Sequence, residues 1–437
     1  MIAYVFLALS VVAFFLIWYR RGPAPAAFMA VVLGAGLPVL DLASIGDSSA
    51  LTALADPSIT LTSCSMAVLG GILALPSQTF RGIPISFLLF IVSLALLTLA
   101  QGVFATHTAS GILHWTTALF SWGIGAAIWS AVLDVRSFNR VVACVSLVVV
   151  GWHGLFVAMQ LAGIRAVASV EAGATDIARV SGAAGHSGNL GKIMILIIMI
   201  LLPLTRSRDK VTARISLSAV VFAASMTALT FSRANIVGIG ILLGIWIVAG
   251  PGVRFTHRFA VGAVVLLVSV PVIDVLLLRS EYDPDGGSRP RLLATAVSQI
   301  AETLIVGVGP NNYLEIVGQY DALAAGGLPV HSALLLTLAE VGLVCSIFLL
   351  VPIVGLLARS LRSVRGTAEG STYALALLAA TPGILLIAGT GWGILRGQFL
   401  VLLFFSLGYM YAAQMAASKR DSMLPASTFA SADTQPR

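Results

Sequence analysis

The sequence predicts an all-α polytopic membrane protein of about 12–14 transmembrane helices with one long loop on the outer face. Its 437 residues are 58% hydrophobic and only 10% charged, and their mean hydropathy is +1.00. No water-soluble domain of this length has that composition. The apolar residues fall in continuous runs of about 17 to 25, each long enough to cross roughly 30 Å of hydrocarbon as a helix. These runs lack the period-two alternation of a membrane β-barrel.

Taken in order, about thirteen runs qualify. They lie near residues 2–18, 26–43, 59–76, 84–104, 111–133, 141–162, 190–205, 213–231, 234–250, 259–278, 331–357, 373–390 and 397–414. The first has no basic leader and no small-residue cleavage site, and Arg20 and Arg21 follow it, so it is expected to remain as an anchor. Residues 1–414 are expected to form one transmembrane helical domain. Within it, residues 279–330 form a loop substructure. The polar stretch 415–437 is expected to be a disordered cytoplasmic tail. Cys64, Cys144 and Cys345 all fall inside apolar runs, which points to neither a disulfide framework nor a metal site.

Charge sets the expected orientation. With Arg20 and Arg21 in the cytoplasm, strict alternation places 17 of the 25 Lys and Arg inside and 13 of the 18 Asp and Glu outside. That is the asymmetry of the positive-inside rule, with the N-terminus out and the C-terminus in. The net charge of +7 then reflects topology and does not point to nucleic acid. Basic residues on the outer side run against the bias, which makes them the ones to question.

The outer loops are Asp41 to Pro57, Thr106 to Ser110, Arg165 to Asn189, the tight turn "TFSRANIVG", the long Arg279 to Val330, and "GWGILRGQF". Only the long loop is large enough for structure of its own. Its sequence predicts a helix from about Leu292 to Thr303, a glycine-rich turn at Gly307 to Asn312, and a second helical piece. "GVGPNN" follows no strand, so it reads as a turn that folds the loop back onto the bundle, not as a dinucleotide fingerprint. "DPD" at Asp283 to Asp285 reads as a turn around Pro284. After the loop comes "HSALLLTLAEVGL", with His331 at the membrane edge and Glu340 inside an apolar run. Ionisable groups at such depth are costly and point to function or to a partner. On a continuous helix the two lie nine positions apart, about half a turn out of phase, and cannot form a dyad.

The segments "RVSGAAGHSGNLG", "TFSRANIVG", "SRPRLLATAVSQIAETLIVGVGPNNY", "HSALLLTLAEVGL" and "RGQFLVLLFF", in this order, resemble the bacterial O-antigen ligase and surface-polysaccharide polymerase superfamily. The resemblance covers roughly residues 175 to 410. Its most specific element is His followed by Asn or Ser, nine residues and Gly, matched here by His331, Ser332 and Gly342. The family pattern then ends in Gly, Thr or Tyr, where this chain has Cys345. The resemblance implies a GT-C-like membrane glycosyltransferase. Such an enzyme takes a glycan from undecaprenyl diphosphate at the periplasmic face of the inner membrane and passes it to a glycan or lipid A core acceptor. It implies Arg233, Arg289 and His331 as the catalytic set, with Arg291 two positions from Arg289 in the same role if the register shifts.

The residue types suit that chemistry. Arginine offers a planar, permanently charged fork for phosphate oxygens, so Arg233 and Arg289 would stabilise the leaving diphosphate without a metal or other cofactor. Histidine titrates near neutrality and would take the proton of the attacking hydroxyl. The expected reaction is a single displacement with inversion. Arg291, Arg179, His186, Asn189 and Arg396 are candidate substrate-binding residues. Plainer alternatives stand beside these readings. Arg233 as an interfacial snorkelling residue, Arg289 and Arg291 as solvated loop charges, His331 as a polar residue after Pro329, and Arg179, His186 and Asn189 as loop-positioning groups all remain open. At the level of the whole molecule the alternative is a polytopic transporter or flippase for a lipid-linked or small solute. Transporters, however, place their site at the midplane between internal repeats, and here no repeat is evident and the polar residues gather at one face.

Overall fold

The computed structural model describes residues 2–46, 49–103, 105–164, 179–250, 287–364 and 369–423. The structure is mostly helical (78%), and among the described residues the sheet is a single two-stranded hairpin, so the molecule is an all-α helical bundle. In chain order the helices are α1 (Ile2–Arg21), α2 (Pro23–Gly36), α3 (Ser63–Ala74), α4 (Pro76–Gly82), α5 (Ile85–Ala100), α6 (Thr106–Ile128), α7 (Val135–Leu161), α8 (Ser187–Leu201), α9 (Lys210–Leu229) and α10 (Arg233–Ala249). Three shorter pieces follow, α11 (Arg289–Thr303), α12 (Tyr313–Val317) and α13 (Ala322–Ala325), then the long α14 (Ala333–Ser363), α15 (Glu369–Thr390) and α16 (Gly397–Met423).

Every apolar run inside the described residues carries a helix. The run 259–278, the turn Asp283 to Asp285 and the tail beyond Met423 lie outside them. Among the described residues six helices are long and apolar enough to cross a membrane, or up to seven if the bent α3–α4 pair counts as one span. Helices α2, α5 and α10 are shorter and also apolar. A multi-pass membrane protein is the architecture this supports.

Three runs differ from the sequence expectation, each for a local reason. Helix α2 stops at Gly36 and does not continue to 43. Leu37 precedes Pro38, which disfavours the helical region, and it is extended at φ −102° and ψ 167°. The chain then forms strand β1 (Asp41–Ile45), paired antiparallel with β2 (Ile59–Thr62), where a plain polar loop was expected. The 59–76 run is consequently a strand followed by α3. Thr62 starts that helix with a capping box, its Oγ1 accepting from the Ser65 amide at 3.1 Å. Pro76 ends it, because proline cannot continue the ladder, and α4 leaves at 105°. At the other end of the chain, α16 runs nine residues past 414, so the expected tail is helical up to Met423.

Packing follows from composition. Apart from Lys192, helix α8 is apolar on all faces from Leu190 to Leu201 and is buried there on all of them, as a central helix must be. Helices α6 and α16 approach at backbone distance through Gly125 and Gly408, since a Cβ on either would collide with backbone of the facing helix. In lipid, small residues at the crossing let helices gain dispersion contacts. Around that crossing Phe28, Phe138, Trp129, Tyr373, Phe405 and Tyr409 form a chain of ring contacts with centroids 5.3 to 6.5 Å apart. This aromatic core leaves the opposite end, where α6, α8, α10, α14 and α16 begin, to carry the polar residues.

Candidate functional site

The site is built around a broken helix. Helix α14 begins two residues after His331, and Ser332 caps it with Oγ accepting from the Leu335 amide at 3.4 Å. The helix is interrupted at Gly342, whose φ of 71° and ψ of 176° suit only glycine. Interruption frees backbone groups on both sides, and each must find a partner. The preceding loop supplies them: Val308 N donates to Ala339 O at 2.9 Å, Gly309 N to Glu340 O at 2.9 Å, and Leu343 N donates to Leu304 O at 2.8 Å. A side chain on Gly307 or Gly342 would run into the backbone opposite.

Glu340 completes the joint. Its carboxylate is fully buried, and Oε2 accepts from the Asn311 amide at 2.7 Å. Asn311 itself sits in the left-handed region at φ 64°, which asparagine tolerates better than other residues with a side chain. Its Oδ1 accepts from Leu54 N at 3.0 Å and Ala55 N at 3.1 Å, and its Nδ2 donates to Ala55 O at 3.1 Å and His107 O at 3.2 Å. Asn312 Nδ2 donates to Val308 O at 2.8 Å while its Oδ1 meets His107 Nε2 at 3.1 Å. Gln101 at the end of α5 donates to Gly307 O at 2.9 Å. The turn Gly307–Asn312 thus locks the β1–β2 loop, α5, α6 and α14 together.

Beside this joint His331 is half-buried, and its Nδ1 is shielded from solvent with no hydrogen-bond partner among the described residues. Burial, and then the positive charge of Arg289, hold its pKa below the ordinary imidazole value, while a hydrogen bond to the Pro329 carbonyl pulls weakly the other way. Of the expected catalytic set, Arg289 is thus near enough to act on His331 through its charge. Arg291 is engaged elsewhere: its Nε donates to Asp321 Oδ2 at 3.2 Å, on the carboxylate that caps α13 through the Leu323 and Ala324 amides. Burial raises the Asp321 pKa, but those amides, with Arg291 and Thr295, outweigh it and hold the carboxyl below its usual range.

The remaining candidates lie around the start of α8. Arg233 is exposed and opens α10. It makes no ion pair among the described residues. One turn on, Asn235 Nδ2 donates to Gly188 O at 2.9 Å and pins α10 to α8. Arg179 Nε donates to Thr230 O at 3.3 Å, and His186 caps α8 by accepting from Gly188 N at 3.0 Å. Asn189 Oδ1 accepts from Lys192 Nζ at 2.9 Å. Arg396, exposed, lies over the Trp392 ring at 5.4 Å. His114 Nε2 bonds Leu395 O at 2.7 Å and ties α6 to the start of α16.

Asn189 and Arg396 line a cavity of about 830 Å³ together with His114, Asp41, Asp56, Gln398 and the two hairpin strands. It lies at the same end as the Asn311 joint, since Leu54 and Ala55 line it too. His331, Arg289 and Arg233 are not among its lining residues. A second cavity, of about 590 Å³, is at the opposite end near Arg81 and Tyr411. No family model matches the chain, and no curated protein matches it. The residues themselves therefore carry the functional argument.

Three participants are not visible from motif reading. Asn311 looks like an ordinary turn residue, although an Asn after Gly-Val-Gly-Pro is a left-handed position waiting for a role. Lys192 is hidden inside an apolar run, and its charge at the second turn of α8 is the signal. The partner of Glu340 is a backbone amide, which no sequence pattern announces.

Proposed function

We propose that the protein is an inverting glycosyltransferase that moves a glycan from a polyprenyl diphosphate carrier to an acceptor hydroxyl at the outer, periplasmic face of a bacterial inner membrane. The observation that carries this reading is His331, whose shielded Nδ1 has no hydrogen-bond partner among the described residues and whose imidazole feels the positive charge of Arg289. An unsatisfied buried nitrogen costs stability, so its retention asks for a use. In the reaction the acceptor hydroxyl gives its proton to His331 as its oxygen bonds to the anomeric carbon. The bond from that carbon to the diphosphate breaks on the opposite face. Negative charge then grows on the departing diphosphate, where Arg289 and Arg233 neutralise it. The positive charge of Arg289 also keeps the base unprotonated before the acceptor arrives.

A transporter is the second reading. The placing of the larger cavity at one end of the bundle, not at its middle, favours transfer from a carrier in the outer leaflet. The test is transfer from purified lipid-diphosphate glycan by the protein in nanodiscs, with EDTA present. Persistent turnover with inverted product supports the mechanism. Complete loss in EDTA removes its metal-free form, and solute flux without transfer favours the transporter. The polysaccharide profile of a deletion strain then separates the acceptors. Loss of glycan on lipid A indicates a ligase, and survival of single repeat units without long chains indicates a polymerase.

A further inference from the structure

Lys192 presents a problem that the transferase mechanism does not solve. It sits in the second turn of the central helix α8 and is only 8% exposed. Burying an ammonium is costly unless a counter-charge compensates it. Among the described residues it has no ion pair. Its neighbours are the Asn189 amide oxygen at 2.9 Å and the face of Phe399 at 5.4 Å. The charge that acts on it is that of Arg396, also positive. The two residues that Lys192 touches, Asn189 and Phe399, line the 830 Å³ cavity together with Arg396, so the ammonium lies directly behind the cavity wall. Asp41 and Asp56 also face that cavity, and neither pairs with Lys192 or Arg396.

We propose that Lys192 and Arg396 form a phosphate-binding subsite, with Asn189 orienting the ammonium, and that the rest of the phosphate-bearing ligand occupies the adjoining cavity. An incoming phosphate supplies the missing counter-charge: Arg396 offers its fork and Lys192 a point charge in a dry setting where electrostatics are strong. The subsite is separate from the His331–Arg289 pair. It rests on the transferase reading only for which molecule delivers the phosphate.

Binding without turnover tests it, so that its failure and that of the transferase reading are distinguishable. The full chain in nanodiscs is titrated with a polyprenyl diphosphate and, separately, with inorganic pyrophosphate. Lys192→Met, which keeps an apolar stem of similar length, and Arg396→Gln are compared with wild type. Each substitution is expected to weaken binding by about tenfold or more, the scale of one charge-assisted contact. Lys192→Met is also expected to raise the melting temperature of the unliganded protein, because it removes an uncompensated buried charge. Weakened binding of both probes in the variants assigns the subsite to the phosphate alone, and weakened binding of the lipid only assigns it to a membrane-borne headgroup; both support the subsite. Unchanged affinity of both variants for both probes overturns it. So does a fall in the melting temperature of Lys192→Met with affinity intact, which would make Lys192 a structural tether of Asn189.

Discussion

The turn Gly307–Asn312 and the rim holding His331 lie side by side and treat polar groups in opposite ways. In the turn, the Asn311 side chain alone makes five hydrogen bonds to backbone, and the backbone groups freed by the break at Gly342 find partners in the loop. On the rim, His331 Nδ1 has no partner, and Arg233 and Arg289 have no ion pair among the described residues. Satisfied groups hold shape. The joint is not wholly satisfied, since Glu340 Oε1 has no partner among the described residues, but its polar groups are otherwise engaged, whereas those of the rim are not. The contrast assigns structure to the turn and function to the rim.

Breaking the turn should have the largest effect on stability. Asn311→Ala leaves the Leu54 and Ala55 amides without a partner and puts an alanine at a left-handed φ, and a loss of about 2–4 kcal/mol is expected, read as a thermal or denaturant shift. His331→Ala should do the reverse. Turnover is expected to fall by roughly 10² to 10⁴, the usual worth of a positioned base, with donor binding and melting temperature nearly unchanged. A His331→Ala protein that melts early yet turns over normally per folded molecule would dissolve the contrast.

Glu340 sharpens it, because a carboxylate serving only as an acceptor is replaceable by another acceptor. Glu340→Leu is expected to cost about 2–3 kcal/mol by stranding the Asn311 amide, and Glu340→Gln less than about 1 kcal/mol. Equal loss of activity in both, with folding intact, would move Glu340 to the functional side.

The pH profile probes the rim without removing the base. His331 is held below its ordinary value by burial and by Arg289, so Arg289→Gln should let it protonate at higher pH. The acid limb of the turnover profile is therefore expected to move upward in pH in that variant. The linkage has a definite sign. A histidine whose folded pKa is lowered contributes nothing at high pH, and destabilises the fold as pH falls below about 6.5, where the unfolded chain takes up the proton more readily. Arg289→Gln should lessen that acid loss. The smallest effect belongs to Arg291→Ala: the arginine is exposed, and the buried Asp321 carboxylate keeps the Leu323 and Ala324 amides and Thr295, so the loss is expected to be less than about 1 kcal/mol.

How much of this was legible in the sequence depends on the kind of signal. Helices announce themselves because hydrocarbon demands long apolar runs, and the runs inside the described residues are helical. Their ends at Gly36 and Leu75 were missed because the prolines at 38 and 76 interrupt segments that remain apolar, and apolarity alone cannot tell strand from helix. His331 is legible as a polar residue at a membrane edge, whereas Arg289 is singled out only by the family resemblance, and its charge acts on the His331 ring. The Gly342 break was visible only as a motif glycine, since its meaning lies in a loop thirty-odd residues earlier. Lys192 was overlooked because one charge barely alters the hydropathy of the run that contains it.

The joint at Asn311 also fixes an order of assembly. Its bonds to Leu54, Ala55 and His107 span 257, 256 and 204 positions of the chain, and its anchor Glu340 is a further 29 positions on. Synthesis runs from the N-terminus, so the amides of Leu54 and Ala55 are made early and must stay unsealed while most of the protein emerges behind them. The seal at this end of the bundle cannot close until Glu340 has left the ribosome. A chain stopped before that point has its first helices in place and an open seam across their ends, a difference by which a cell can tell an unfinished product from a finished one.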